Sequence, residues 1–536
     1  MKKILTQLAL LVLTAATCHA ANPGAFLVAE FAARQGDVRI AAAKMQEALS
    51  ADPESTQLRG DAFILALLAG APEAASLART LPENPVAALM LATLSVHDGH
   101  FQSAELGFAE LPHDALTDSL KPLMLAWVQE AQGYADRAMD TLQPALNGGR
   151  LGSIPLLHAA LMADAAHRDG LAKRLYDDLA HAQSQPSLQF AQILASFQAR
   201  SGDLAAATAT MEAALHANPE LGIAAPGLIA ALGHPSVPTA AHCMAQAYVE
   251  VAASLHGQEG HDLASVLVQL ALTLDPELTD AHLLASEIAS GQHQMGLAAR
   301  ELEAVSPSDP LWPVVQLRLA AIYQRDGRGR LSIRSLSKLA SSYPDRPEPL
   351  IQLGDSLSDQ KDLPEAVSAY DRAIALMRHP NESDWVVFYA RGSALERMHE
   401  WPRAEADMNR ALELAPNQPY VLNFLGYSMA DRNQNLPMAQ EMIQKALSER
   451  PNDGAIVDSL GWVKLREGDT KEALRLLEKA AEMEPEDPSI TGHLGDAYWT
   501  AGRRIEAEDQ WRRALVLKPD PDDQARIEAR LKATEK

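Results

Sequence analysis

Four Leu-Gly pairs, Leu353-Gly354, Leu425-Gly426, Leu460-Gly461 and Leu494-Gly495, with the variant Arg391-Gly392, cut the C-terminal third of this chain into near-equal units. Successive glycines lie 38, 34, 35 and 34 residues apart. Each is followed at a fixed interval by a small residue: Ala366, Ala404, Ala473 and Ala507, with Ala439 as the equivalent in the unit that carries one extra residue. Next come a bulky residue and a second alanine, as in Tyr370 and Ala373, Met408 and Ala411, Ile443 and Ala446, Leu477 and Ala480, Trp511 and Ala514. Pro416, Pro451, Pro485 and Pro519 then close the units. A period of this length marks supersecondary units that cannot bury an apolar face alone and do so by stacking.

Within a unit the apolar positions recur at helical spacing in two blocks, with turns near Gly468-Asp469 and Gly502-Arg503. Glycine and alanine let the two helices of a hairpin approach closely, and the bulky residue fills the gap to the next hairpin. Proline ends the second helix because it has no N–H to continue the ladder. The order of Leu-Gly, small residue, bulky residue, alanine and proline resembles the tetratricopeptide repeat (TPR), and it implies an all-α TPR solenoid of stacked helix-turn-helix repeats.

The phase continues upstream. Ser332, Leu336 and Pro344 mark one unit, and Ala298, Leu302 and Pro310 the one before. Ala264, Val268 and Ala271 mark another, as do Ala207, Met211 and Ala214, and Ala41, Met45 and Ala48. Between residues 56 and 187 the units are shortened, although Ala138, Leu142 and Ala145 keep the spacing. The expected count is about 13 or 14 hairpins. Gly222, Pro226, Gly233, Pro235 and Pro238 break the period. The expected organisation is therefore a signal peptide (1–20), an N-terminal degenerate array (21–220), an irregular joint (221–244), a C-terminal array (245–521), and a capping helix and tail (522–536). The last helix is charged, as a cap over an exposed terminal face should be.

Lys2 and Lys3, the apolar run Ile4 to Val12 and the triplet Cys18-His19-Ala20 have the build of a secretory signal, too short for a stable span. The expectation is export to the periplasm, with cleavage after Ala20. Thr17 before Cys18 is a poor lipobox, so lipidation of Cys18, and with it outer-membrane association, is the alternative. Cys243 is then the one internal cysteine, which leaves no intramolecular disulfide framework and suggests a buried small hydrophobe. The net charge of −24 disfavours nucleic acid and anionic lipid as partners, since both need a basic face. Hydrophobic residues reach 47% while aromatics are only 5%, in keeping with close-packed Ala- and Leu-rich hairpins.

No phosphate loop, H-E-x-x-H, C-x-x-C, G-x-S-x-G or G-x-G-x-x-G motif occurs in the chain. His97 and His100 have no third ligand at a zinc-like spacing, and Pro519-Asp520-Pro521-Asp522-Asp523 lacks the alternation of a calcium loop. The expected protein is not an enzyme and carries no metal or cofactor.

First helices line the inner wall of such arrays. On that wall the positions beside the Leu-Gly pairs are Tyr389, Ser393 and Arg397; Asn423, Tyr427 and Asp431; Asp458, Trp462 and Arg466; and His493, Asp496 and Trp499. Asn bonds a peptide backbone, aromatics cover apolar side chains, and Arg or Asp pairs with a terminus or charge, so the expected ligand is an extended peptide of a protein partner. Packing of Tyr427, Trp462 and Trp499 between adjacent first helices stands beside it as the alternative. The Lys-and-Asn clamp for acidic chaperone tails is not matched, because only Asn423 is of the right type.

The run Asn423-Phe424-Leu425-Gly426-Tyr427, Asp458-Ser459-Leu460-Gly461-Trp462 and His493-Leu494-Gly495-Asp496, with Trp511-Arg512-Arg513, resembles exported proteobacterial TPR proteins. That group is similar to the outer-membrane TPR adaptors of periplasmic C-terminal processing proteases. The likeness covers about residues 345–520; upstream only the repeat grammar agrees. It implies a non-catalytic adaptor that presents substrate proteins to such a protease. The alternatives are an assembly factor for envelope or exopolysaccharide machinery and a regulatory subunit of a separate enzyme.

Overall fold

A computed structural model describes residues 22–113, 116–146, 151–182, 187–235, 237, 239–256 and 261–534; the expected signal, with Cys18, lies outside them. Among the described residues there are helices and no strands. In the first part of the chain these are α1 (Pro23–Arg34), α2 (Val38–Ala51), α3 (Thr56–Leu68), α4 (Glu73–Ala78), α5 (Pro85–His97), α6 (Phe101–Ala109), α7 (Thr117–Ala131), α8 (Ala135–Leu146), α9 (Ile154–Ala165), α10 (Asp169–Ala182), α11 (Leu188–Arg200), α12 (Leu204–Ala217), α13 (Ala225–Ala231), α14 (Ala240–His256), α15 (His261–Leu274), α16 (Thr279–Gly291), α17 (Met295–Glu303), α18 (Trp312–Arg325) and α19 (Gly329–Ser342). There follow α20 (Glu348–Asp359), α21 (Leu363–Leu376), α22 (Trp385–Arg397), α23 (Trp401–Leu414), α24 (Pro419–Asp431), α25 (Leu436–Glu449), α26 (Gly454–Glu467), α27 (Thr470–Met483), α28 (Pro488–Thr500), α29 (Arg504–Val516) and α30 (Pro521–Thr534). Apart from α13 and α30 they pair in sequence into 14 hairpins.

The second helix of each repeat buries one face at the spacing read from the sequence. Ala41, Met45 and Ala48 are buried on α2, and Ala207, Met211 and Ala214 on α12. The same holds for Ala404, Met408 and Ala411 on α23, and Ala473, Leu477 and Ala480 on α27. These residues lie four and three apart, hence on one side of a helix. The glycines explain the pairing. A Cβ on Gly495 would stand 2.5 Å from the Trp511 indole, one on Gly354 2.5 Å from the Tyr370 ring, and one on Gly426 2.6 Å from Ile443. The bulky residue therefore fills the hollow over the glycine of its own hairpin. It also joins a core with the following hairpin, as Ile443 does with Val457 and Leu460.

Between the helices of a repeat the chain turns through a left-handed residue. Gly468 and Gly502 take φ of 84° and 81°, and Lys361, His399 and Asn433 hold the equivalent place at 64°, 62° and 54°. Side chains start several helices. Asp487 Oδ1 accepts from the backbone N–H of Ser489 and Ile490 at 2.8 and 2.9 Å, answering two of the N–H groups left free at the start of α28.

The chain divides into two compact units, one up to Tyr343 and one from Pro344. The stretch expected as a joint, 221–244, lies within the first. There Pro219–Ala224 forms a 3-10 turn and α13 follows, burying Leu221, Ile223 and Leu228. The first unit is not an open array. Hairpin α14–α15 folds back on the preceding first helices, with α14 packed on α7 and α9, and α15 on α3 and α5. One core joins Phe63, Leu89 and Trp127 with Tyr248, Leu267 and Leu270. In the second unit the core runs from hairpin to hairpin, and Ile527 of α30, fully buried, closes it over Leu494 and Trp511.

The contrast between crowded and open glycines yields a stability test. Gly60, on α3, has nothing within 4 Å of a built Cβ. Gly60→Ala is expected to raise stability by about 0.5–1 kcal/mol through helix propensity. Gly495→Ala meets a fully buried indole and is expected to lower it by about 1–3 kcal/mol, the usual cost of overpacking. Urea unfolding midpoints of the two variants should move in opposite directions.

Candidate functional site

The Leu-Gly pairs face the second helices, which turns the positions just beside them toward the inner wall of the second unit. That wall is strongly curved. Tyr427 on α24 reaches His493 on α28, two hairpins further on, with the phenol oxygen 3.4 Å from Nε2. Between them Trp462 of α26 stacks on the same imidazole, with centroids 4.3 Å apart and planes at 25°. His493 Nδ1 lies 2.8 Å from Asp458 Oδ2. Residue 493 is 2% exposed, and Asp458 and Trp462 are 5% exposed each.

A second knot adjoins the first. Asp496 accepts from Trp511 Nε1 at 3.1 Å and from the Arg526 guanidinium, and Arg530 Nε lies 3.6 Å away. Arg526 also donates to Asp523 at 2.7 Å. Gly492 lies under this contact, with the Arg526 and Ile527 side chains of α30 3.4 and 3.2 Å from the place of its missing Cβ.

The structure thus brings together Tyr427, Asp458, Trp462, His493 and Asp496 in a buried centre, and leaves the other expected residues outside it. Tyr389 is half-buried, edge-on to Trp385 and Phe424 at 5.8 and 6.1 Å. The Ser393 hydroxyl is turned back to the Tyr389 carbonyl at 2.8 Å. Trp499 sits 5.5 Å from Trp511 with the Arg504 guanidinium 4.2 Å over its ring. Arg397, Asp431 and Arg466 are exposed, and Arg466 donates to the Ala430 and Asp431 carbonyls at 3.2 and 3.1 Å. Three polar atoms on this wall are buried without a partner: Asn423 Oδ1, Asp458 Oδ1 and Trp462 Nε1. One is a donor and two are acceptors. Buried polar groups are normally satisfied, so such atoms mark a place where a ligand or water completes the bonding.

Charge follows geometry. Burial works against the His493 imidazolium, but the Asp458 charge and hydrogen bond prevail and raise its pKa above the ordinary value. Burial, then the neighbouring carboxylates of Asp431 and Asp458, push the Tyr427 phenol far up. Cys243, in the first unit, is buried, and desolvation keeps its thiol protonated. His97 and His100 are both exposed.

Sequence reading missed a polar network inside the first unit. Trp127 Nε1 donates to His158 Nδ1 at 2.9 Å, and His158 Nε2 lies 3.3 Å from Glu250, which also accepts from Gln189 at 3.1 Å. Thr93 and Tyr248 share a buried hydroxyl pair at 2.7 Å. The partners are 31 to 155 residues apart, and no local motif links them.

A family model described as tetratricopeptide repeat matches residues 464–531. Residues 464–531 thus match the tetratricopeptide repeat, and the described residues as a whole have the fold of stacked helical hairpins that such repeats build. Among curated proteins it is similar to the TPR repeat-containing protein PA4667 of Pseudomonas aeruginosa, 30% identical over 217 residues, 40% of this chain and 36% of the relative. Bacteriophage adsorption protein A of Escherichia coli is 32% identical over 79 residues, 15% of this chain and 8% of that protein. The matched region therefore spans little more than a third of the first relative's length. Among solved structures, the Cut9-Hcn1 complex aligns over 99% of both chains with 15% identity and a TM-score of 0.39. YrrB, a TPR protein with an unusual peptide-binding site, aligns over 36% of this chain and 97% of its own, with 21% identity and a TM-score of 0.27.

The His493–Asp458 pair makes stability pH-dependent. A histidine whose folded pKa is raised adds stability that is complete below its unfolded value and is lost as pH rises through the folded value. The melting temperature of the protein should therefore fall from pH 6.5 upward through the raised pKa of His493. Asp458→Asn keeps the shape, removes the charge and should flatten that slope. Histidine NMR titration of both proteins reads the pKa directly.

Proposed function

We propose that this protein is a non-catalytic, exported scaffold whose second unit holds an extended peptide of a protein partner along its inner wall. TPR proteins generally mediate protein–protein interactions, and the curved wall here has the means for it. The observation that carries the reading is the set of unanswered atoms, Asn423 Oδ1, Asp458 Oδ1 and Trp462 Nε1. A peptide amide supplies the N–H for an acceptor and the C=O for the indole donor. The exposed Arg397, Asp431 and Arg466 would select charge at the rim, while the buried centre sets the curvature. Export rests on Lys2 to Ala20, and presentation of substrates to a periplasmic C-terminal processing protease rests on the resemblance of the repeats at 423–514.

Affinity capture from an envelope fraction tests the reading with variants that leave the centre intact. Asn423→Ala and Arg466→Ala are each expected to weaken capture of the principal partner by about 10-fold, the loss of roughly one well-placed polar contact. The peptide-binding assignment fails if both variants retain every partner at the wild-type level. The protease arm is read separately, as the rate at which a captured substrate is cleaved with and without this protein.

A further inference from the structure

The first unit carries a half-open cavity of about 380 Å³ bordered by α9, α11, α14 and α16 and by the loops at Asp275 and Asp309. Its wall carries Asp164, Asp275, Glu277, Asp280 and Asp309, with Arg200 and His242 as the cationic or titratable counterweights. Most of these acids are already engaged. Asp164 takes the Arg200 guanidinium and, at 3.4 Å, the Tyr176 hydroxyl. Asp275 lies 2.6 Å from His242 Nδ1, and Asp309 accepts from Thr279 Oγ1 and from the Leu311 N–H, both at 2.7 Å.

Glu277 is open to solvent, and two less exposed acceptors remain. Gln246 is only 8% exposed and lines the cavity, and its Oε1 is buried without a partner. The Asp280 carboxylate, in the first turn of α16, has no hydrogen-bonding side chain among the described residues. Burial, then the charges of Asp309 and Glu250, raise its pKa, and His242 and Arg318 offset this only in part. The same residue also borders a neighbouring hollow with Glu250 and Glu287. What is missing here is positive charge that donates hydrogen bonds and accepts none. Among the described residues no group of three or more ligating side chains is placed to hold a metal ion. An ammonium or guanidinium has the required chemistry, and the volume accommodates an aliphatic amine or a basic side chain.

We infer that this cavity binds an organic cation, a primary ammonium or guanidinium group, through Asp280 and Gln246. The group arrives either on a free polyamine or on a Lys or Arg side chain. The site is separate from the inner wall of the second unit and stands whether or not that wall binds peptide.

Calorimetric titration of the full-length protein tests this with spermidine and 1,6-diaminohexane in one arm, and with N-acetyl-arginine methylamide and N-acetyl-lysine methylamide in the other. 1,6-Hexanediol is the uncharged control. Saturable binding is expected in at least one arm, with the diol inert and Asp280→Asn weakening the cation by about 10-fold or more. Asp280→Asn removes a partly buried carboxylate crowded by other acids, so its melting temperature without probe should equal or exceed that of wild type; Asp98→Asn, on an exposed turn, should bind as wild type. Saturation by amines alone assigns a free polyamine, and saturation by the blocked amino acids alone assigns a side chain. The inference is overturned if no cation saturates, if the diol matches the diamine, or if a folded Asp280→Asn protein binds as wild type does.

Discussion

Everything in this molecule depends on how closely two helices of one hairpin can approach. Where Gly495 faces Trp511 and Gly354 faces Tyr370, even one methyl group would overlap the ring opposite. Removing that Cβ lets a large side chain lie flat across the partner helix, so that a short hairpin buries an indole or a phenol completely. The alanines on either side hold the same separation along the second helix. Dispersion and apolar burial then act over the whole contact, and the hairpin becomes a rigid block with a fixed angle to the next one. Stacking such blocks produces curvature as a consequence of their shape.

The two units use that curvature differently. In the first, the repeats close upon hairpin α14–α15, which lies where an open array would leave its inner wall to solvent. The contact brings polar groups into the interior, where Thr93 pairs with Tyr248 and Trp127 with His158. In the second, the inner wall turns so tightly that first helices two hairpins apart touch through Tyr427 and His493. Its centre is a stacked Trp462–His493 pair anchored on Asp458.

Most of the second-helix grammar was legible in the sequence. Ala473, Leu477 and Ala480 are spaced as one helix face, and they are buried as one face. The candidate wall was legible in membership more than in meaning. Tyr427, Asp458 and Trp462 do meet, around His493, but whether a side chain there meets a ligand or a neighbour depends on curvature. Curvature accumulates from small angles between hairpins and has no local signature. That is why Trp499 pairs with Trp511 while Trp462 stacks on an imidazole, although both stand beside a Leu-Gly pair.

The sequence by itself determined the helical hairpin, its repeat length and the face each second helix buries, because those follow from spacing along one chain. It also marked 221–244 as a break in the period. Only the tertiary structure decided that α14–α15 would fold back into the first unit. It alone also decided that Asp164, Asp275, Asp280 and Asp309, spread over 145 residues, would surround one cavity. Those outcomes come from contacts between elements distant in sequence, whose energies depend on complementary shape and on charges brought together out of water. No pattern of neighbouring residues encodes that meeting.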